Sequence, residues 1–204
     1  MKKYLILCLI LFSCVARAQV KTIAPGEIAP DIKLLNVDDK IVSFNNYPDA
    51  KGFIVVFICN TCPYSKAYEQ RIIELNGKYS LLGFPVIAIN PNDPGSSPGD
   101  SFEKMKERAR SSQYTFPYLY DEGQVVTKLY GPKSTPTVFV ISKTNRGNII
   151  EYSGAIDNDT PNSNPDKTKY VEEAVSSILK NGKPKVTVTK AIGCRISWKK
   201  DKQG

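Results

Sequence analysis

The chain has 204 residues, with 28 lysines and arginines against 20 acidic residues and a formal net charge of +8 at pH 7. It is long enough for one domain with a substantial core, and its hydrophobic fraction of 41% is typical of a globular protein. Histidine is absent, which excludes Ser-His-Asp and Cys-His catalysis and every histidine-ligated metal site.

Residues 1–18 have the three-part pattern of a secretory signal peptide. Two lysines precede an apolar run at residues 4–15, and the triplet "ARA" stands before Gln19. We therefore expect cleavage after Ala18 and an exported protein, periplasmic or otherwise extracytoplasmic. Lipid attachment at Cys14 is an alternative way to leave the cytoplasm, and a buried helix is the structural alternative to a leader.

Removal of the leader changes the charge and the cysteine count. Three cations and no acid leave with it, so the net charge falls from +8 to +5. The remaining excess lies largely in residues 184–204, which we expect to form a basic tail associated with the domain. No DNA- or RNA-binding motif accompanies this charge, so we expect no nucleic-acid partner. The remaining cysteines, Cys59, Cys62 and Cys194, are odd in number, so they are not a purely structural disulfide set.

The sequence predicts a hairpin followed by alternating strands and helices in a domain spanning residues 19–183. Strands are expected where apolar residues alternate or run consecutively between turn signals, at residues 32–35, 41–44, 53–58, 84–89, 116–120, 137–142 and 149–152. Helices are expected where apolar residues recur at threes and fours, at residues 64–77, 102–112, 122–130 and 169–180. Asp100 or Ser101 is the expected cap of the second helix. This order predicts an α/β fold with a mixed central sheet flanked by helices on both faces.

The segment "CNTC" joins the buried strand at residues 53–58 to the first helix. Free N–H groups at a helix N-terminus carry about half a positive charge, so we expect a lowered pKa at Cys59. Cys62, one helical turn further on, is within disulfide reach and more shielded. Cys59 would then attack a substrate disulfide, and Cys62 would resolve the mixed disulfide. A structural disulfide or two inert buried thiols is the alternative, because C-x-x-C is a short motif.

Several segments together resemble peroxiredoxin-like proteins of the thioredoxin fold that carry a C-x-x-C motif, often called redoxins. The similarity covers nearly all of residues 28–200, through "APDIKLLNVDD", "VVFICNTCPYSKAYEQ", "YDEGQVVTKLYGPKSTPTVFVI", "SGAID" and "KAIGCRISWK". It implies a thioredoxin fold, a redox-active Cys59 and Cys62, and a cis peptide bond before Pro136. It also implies that the backbone of Thr135 lies opposite the reactive sulfur, at a strand-like edge that receives the substrate backbone.

The same resemblance makes a thiol peroxidase the main alternative. In peroxiredoxins the peroxidatic cysteine corresponds to Cys62 and ends a P-x-x-x-T-x-x-C pattern. This chain has Val55 and Cys59 at the proline and threonine positions, so the peroxide pocket lacks two of its usual parts. Two further departures are Thr61, where relatives commonly have histidine, and Thr137, where they have aspartate.

We therefore predict an exported thiol-disulfide oxidoreductase that acts on protein thiols and disulfides without a cofactor or metal. Its turnover requires a membrane or periplasmic redox partner. Cys194 is expected to be a buried small hydrophobe beside Trp198, the alternative being an auxiliary thiol that pairs with Cys59 or with a partner. A non-catalytic binding domain with a structural disulfide is the third class of function.

Overall fold

The structure is a computed structural model that describes residues 20–200, so the expected leader, Cys14 and the end of the basic tail lie outside it. Its strands are β1 (Leu34–Asn36), β2 (Ile41–Val42), β3 (Gly52–Phe57), β4 (Val86–Asn90), β5 (Tyr118–Tyr120), β6 (Ser134–Thr135), β7 (Thr137–Thr144), β8 (Gly147–Gly154) and β9 (Cys194–Arg195). Its α-helices are α1 (Pro63–Tyr79), α2 (Phe102–Ser111), α3 (Val125–Tyr130) and α4 (Tyr170–Leu179). Over the described range, no helix combines the length and the apolar character needed to cross a membrane.

Seven strands form one mixed sheet in the order β2-β1-β5-β4-β3-β7-β8. Strand β4 pairs in parallel with β3 and with β5, whereas β7 pairs antiparallel with β3 and with β8. The unit β3–α1–β4 is the parallel crossover that the sequence predicts. Every residue of β3 is buried, which explains its consecutive apolar residues.

Helices cover both faces of the sheet, as predicted. Helices α1, α2 and α4 pack on one face, where Ile72, Met105 and Val171 meet Ile54 and other residues of the sheet. Helix α3 and the chain preceding β3 cover the other face in a second cluster, whose members include Phe44, Phe53, Phe57, Val126 and Tyr130. Alternate residues of β3 enter the two clusters, so this strand is the shared centre of both layers of the core.

Two local features differ from the expectation. Helix α1 continues past Gly77 to Tyr79, and the chain turns only at Gly83, whose left-handed φ of 92° ends a short 3-10 turn. Strands β6 and β9 were not expected, because two residues are too few for a periodic pattern. They form a separate two-stranded sheet.

The C-terminal segment, residues 184–200, packs against the domain at two places. On one side of β9, the Thr189 hydroxyl accepts a hydrogen bond from the backbone N–H of Ala155 at 2.9 Å. On the other side, Asp93 donates its backbone N–H to the carbonyl of Ser197 at 2.8 Å. Strand β9 therefore lies between two anchors.

Candidate active site

Cys59 and Cys62 lie where β3 gives way to α1. Cys62 is the N-cap residue of α1, and Pro63 occupies the first helical turn, where a missing N–H group costs little. Both are free thiols and both are buried, with 4% and 2% of their surfaces exposed. The expectation that Cys62 lies one turn inside the helix is wrong, because the helix begins only at Pro63 and Cys59 precedes it.

The loop between the two cysteines is held by the buried carboxylate of Asp100. This carboxylate accepts hydrogen bonds from the backbone N–H groups of Asn60 at 2.6 Å and Thr61 at 3.2 Å, and from the Thr61 hydroxyl at 2.8 Å. The side chains of Asn92 and Ser97 also donate to it, at 2.8 and 2.6 Å. These donors stabilise a charge that would otherwise be costly to bury.

Sequence reasoning did not assign this role to Asp100. Ser101, the other candidate, is the N-cap residue of α2. Asp100 instead binds Asn60, 40 residues earlier in the chain. The surrounding turn-rich segment gives no sign that separates an acid that binds a distant loop from one that caps the next helix.

Thr135 touches both sulfurs. The Cys62 Sγ lies 3.1 Å from the Thr135 carbonyl oxygen, and the Cys59 Sγ lies 3.2 Å from the Thr135 Oγ1. The peptide bond between Thr135 and Pro136 is cis, as the resemblance implied. The structure thus brings together the four residues that sequence analysis selected as catalytic or substrate-binding.

Cys194 reaches the same place from the C-terminal segment. Strand β9 pairs antiparallel with β6, and this register puts Cys194 opposite Thr135. Burial and the neighbouring Cys62 thiol together raise the pKa of Cys194 to about 11. Cys194 is only partly buried, so the expectation of a buried hydrophobe is wrong. The thiol that it meets is also Cys62 rather than Cys59.

The thiol pair, Cys59 and Cys62, is electrostatically coupled. A hydrogen bond from the Cys59 thiol lowers the pKa of Cys62 to about 4, and the Cys194 thiol and the N–H groups of Ser65 and Cys194 act in the same direction against the effect of burial. The same bond between the two sulfurs, together with burial and the negative charge of Asp100, raises the pKa of Cys59. One thiolate is therefore stabilised and the second is opposed.

The lower pKa thus falls on Cys62, whereas sequence analysis expected it on Cys59. The largest cause is the hydrogen bond between the two thiols, which stabilises the thiolate of Cys62 and disfavours that of Cys59. Cys62 is the N-cap residue and lies nearest the free N–H groups of the first turn of α1. Cys59 lies three residues earlier, near the charge of Asp100.

A cavity of about 290 Å³ lies beside Pro136. Tyr68 and Ile156 line it from the domain, and Ile192 lines it from the C-terminal segment. It has room for the side chain of a bound peptide. Within residues 20–200, no group of three or more cysteine or acidic side chains is arranged to hold a metal ion.

Comparison with known proteins places this chain in a family. Residues 25–152 match the model of the AhpC/TSA family, which is more than half of the chain. The chain belongs to the AhpC/TSA family. An uncharacterised conserved protein from Geobacillus kaustophilus is 33% identical, with a TM-score of 0.79 over 87% of this chain and 93% of that one.

Two further relatives describe the fold and the class of chemistry. The thiol-disulfide oxidoreductase ResA of Halalkalibacterium halodurans is 25% identical over 126 residues, which cover 62% of this chain and 66% of ResA, just under two thirds of its length. The exposed lipoprotein thioredoxin of Streptococcus pneumoniae matches with a TM-score of 0.54 at 20% identity, over 74% of this chain and 99% of that one. The fold is therefore thioredoxin-like.

Proposed function

We propose that the protein is an exported thiol-disulfide oxidoreductase whose redox centre is the Cys59–Cys62 pair. The observation that carries the proposal is the placement of two free thiols at the start of α1, with the Cys59 Sγ 3.2 Å from the Thr135 Oγ1 and the Cys62 Sγ 3.1 Å from the Thr135 carbonyl oxygen. Membership of the AhpC/TSA family and the similarity to ResA support the class of reaction. The substrates would be protein thiols and disulfides.

In the reducing direction, Cys59 attacks one sulfur of a substrate disulfide. Its proton passes along the shared hydrogen bond to the Cys62 thiolate, and the second substrate sulfur leaves as a thiolate that takes this proton from Cys62. Cys62 then attacks Cys59, forms the Cys59–Cys62 disulfide and expels the first substrate sulfur, which is protonated from solvent. Two electrons thus pass from the pair to the substrate, together with one proton from Cys59 and one from solvent.

The low pKa of Cys62 suits the resolving role. A thiolate of low pKa is a modest nucleophile but a good leaving group. When an outside thiolate opens the Cys59–Cys62 disulfide, attack at Cys59 expels the better leaving group, Cys62. A mixed disulfide with an outside substrate therefore forms on Cys59 in both directions of the reaction.

Thr135 and Pro136 are the proposed substrate-binding residues, since the Thr135 carbonyl oxygen lies against the Cys62 sulfur and the Thr135 hydroxyl lies against the Cys59 sulfur. A membrane or periplasmic redox partner would return the pair to its working state. Export is supported by the leader pattern of residues 1–18.

Insulin reduction and covalent trapping test the proposal together. Cys59→Ser should abolish reduction of insulin, whereas Cys62→Ser should leave substrate attached to Cys59 as a mixed disulfide that mass spectrometry identifies after alkylation. Insulin reduction by Cys59→Ser at more than a tenth of the wild-type rate would contradict the proposed attack.

A thiol peroxidase remains the second candidate, because the stabilised thiolate of Cys62 stands at the position of the peroxidatic cysteine. That function would give turnover of hydrogen peroxide that Cys62→Ser abolishes. We expect disulfide exchange to be the faster activity, because Val55 and Cys59 replace the proline and threonine of the peroxide pocket.

A further inference from the structure

The strand edge that a substrate would use is already occupied. Strand β6 pairs with β9 of the same chain, which sets Cys194 opposite Thr135. The fit is close, since a Cβ atom added at Gly193 would lie 2.0 Å from the Thr135 carbonyl oxygen. The chain thus presents its own cysteine at the position that a substrate cysteine would take.

The exposure of the three thiols differs. Cys59 and Cys62 are 4% and 2% exposed, whereas Cys194 is only partly buried. Cys194 is therefore the thiol that a second protein reaches first. The carbonyl oxygen of Thr135, which lies 3.1 Å from the Cys62 Sγ, belongs to the residue directly paired with Cys194, so Cys62 is the sulfur nearest to β9 in the pairing.

We propose that Cys194 is a third redox thiol, which exchanges with the oxidised pair by attacking the sulfur of Cys62. The proposal rests on the proposed function, since it requires the Cys59–Cys62 disulfide as its starting point. Cys62 is the expected target, because β9 sets Cys194 opposite Thr135, whose carbonyl oxygen lies 3.1 Å from the Cys62 Sγ.

The step is an exchange without net oxidation. The Cys194 thiol loses its proton, its thiolate attacks the Cys62 sulfur, and a Cys62–Cys194 bond forms. The Cys59–Cys62 bond breaks, and Cys59 leaves as a thiolate that takes up one proton. One disulfide is lost and one is gained, and the disulfide has moved from a buried pair to a bond that includes the partly exposed Cys194.

The exchange has two consequences for the site. It returns Cys59 to the thiol form, and it moves the disulfide to a bond that includes the partly exposed Cys194, where an outside thiol can attack it. It also ties β9 covalently to the N-terminus of α1, which holds β9 on β6 and closes the substrate edge. In the Cys59–Cys62 form, no disulfide holds β9 against the domain, so a substrate strand can displace it from β6.

The test is to map disulfides after equilibration with glutathione redox buffers. Trypsin separates residues 52–66, which contain Cys59 and Cys62, from residues 191–195, which contain Cys194. Oxidised wild-type protein should yield these two peptides linked by a disulfide, in addition to residues 52–66 with an internal disulfide. Tandem mass spectrometry should place the link at Cys62.

Two single variants measure the specificity for Cys62. Oxidised Cys59→Ser should form the Cys62–Cys194 disulfide at least tenfold more than oxidised Cys62→Ser forms the Cys59–Cys194 disulfide. Glutathione attached to Cys62 of Cys59→Ser, with Cys194 still open to alkylation, would overturn the proposal. So would absence of the linked peptides from wild-type protein, a result that does not depend on how any variant folds.

A third variant separates this inference from the proposed function. Cys194→Ser keeps both members of the pair, so the proposed function requires it to form the Cys59–Cys62 disulfide in the same buffers. If Cys194→Ser forms that disulfide while Cys59→Ser forms no link to Cys194, only the role of Cys194 falls. If neither wild type nor Cys194→Ser forms the Cys59–Cys62 disulfide, the proposed function falls with it.

Discussion

Asp100 shapes the site although its hydrogen bonds go to the loop between the cysteines and not to a sulfur. The carboxylate accepts hydrogen bonds from the backbone N–H groups of Asn60 and Thr61 and from three side chains. It therefore fixes the backbone that spaces the two thiols, and its charge raises the pKa of Cys59.

Replacing Asp100 with asparagine should affect both stability and reactivity. One carboxylate oxygen of Asp100 becomes an NH₂ group, which cannot accept the hydrogen bonds that this oxygen receives. The free energy of unfolding should therefore fall by about 2 kcal/mol. Loss of the negative charge should lower the pKa of Cys59. Urea denaturation and the pH dependence of Cys59 alkylation measure the two effects. The exposed Asp49→Asn is the matched control, and equal behaviour of the two variants would refute this role.

At the scale of elements, Arg71 fastens α1 to the loop that follows β8. Its guanidinium donates to the Asp157 carboxylate at 2.6 Å, and to the carbonyl oxygens of Asp159 and Thr160 at 2.7 Å each. The side chains of Arg71 and Asp157 are 9% and 3% exposed. This loop also lines the cavity beside Pro136.

Arg71→Met should therefore be strongly destabilising, because it leaves the Asp157 carboxylate buried without its cation. We expect a loss of about 3–5 kcal/mol in the free energy of unfolding, measured by chemical denaturation. The exposed Arg110→Met on α2 is the control and should change stability by less than about 0.5 kcal/mol. A similar small change for Arg71→Met would show that the ion pair is not structurally important.

Substitution of Gly193 tests whether β9 is held in place by its pairing with β6. A methyl group there would collide with the Thr135 carbonyl oxygen, so Gly193→Ala should displace β9. Hydrogen exchange of residues 190–195 should become faster, and alkylation of Cys62 should accelerate at least severalfold. Unchanged exchange would mean that β9 is not held against β6.

Gly77→Ala is the control for that substitution and a prediction in itself. Gly77 lies inside α1 with nothing within 4 Å of an added Cβ atom. The substitution should raise the free energy of unfolding by about 0.5–1 kcal/mol through helix propensity, and leave alkylation of Cys62 unchanged. A loss of stability in urea denaturation would contradict this prediction.

Long secondary-structure elements were predicted from the sequence, whereas the shortest ones were missed. Consecutive apolar residues identified β3, and the helical spacing after Cys62 identified α1, because both patterns repeat several times. Strands β6 and β9 were missed because two residues carry no periodicity. Their pairing joins residues as far as 61 positions apart, as Ser134 and Arg195 show, and only tertiary structure establishes such a contact.

At the scale of the whole molecule, the features of the site that depend on tertiary contacts were likewise not predictable from the sequence. The sequence pointed to Cys59 and Cys62 through a local motif, and to Thr135 and Pro136 through the family resemblance. The lowered pKa lies on Cys62 rather than on the expected Cys59, because it depends on which groups surround each sulfur. The position of Cys194 depends on how the entire C-terminal segment wraps back over the domain.

The ionisation of Cys62 links the stability of the reduced protein to pH. Its folded pKa of about 4 lies far below the usual value for a free cysteine. A lowered folded pKa contributes stability that is present above the unfolded pKa, near 8.5, and is lost as the pH falls through the folded pKa, so the contribution declines between about pH 8.5 and 4. The raised pKa of Cys59 contributes in the opposite sense, and its contribution is lost as the pH rises above about 8.5.

The stability of reduced wild type relative to Cys62→Ser should therefore increase as the pH rises from 4 to 8, because all shared carboxylates cancel in the comparison. Denaturation of both reduced proteins across this range measures the difference. A difference that is independent of pH would show that Cys62 titrates like a free thiol.

Redox titration of the wild-type protein in glutathione buffers, with alkylation and mass analysis of residues 52–66, tests the central claim most directly. A redox-active pair should pass between dithiol and the Cys59–Cys62 disulfide in one two-electron transition, with a midpoint above about −300 mV. A midpoint well below that value, or oxidation that never joins the two sulfurs, would contradict the claim and leave the pair as an inert structural element of the fold.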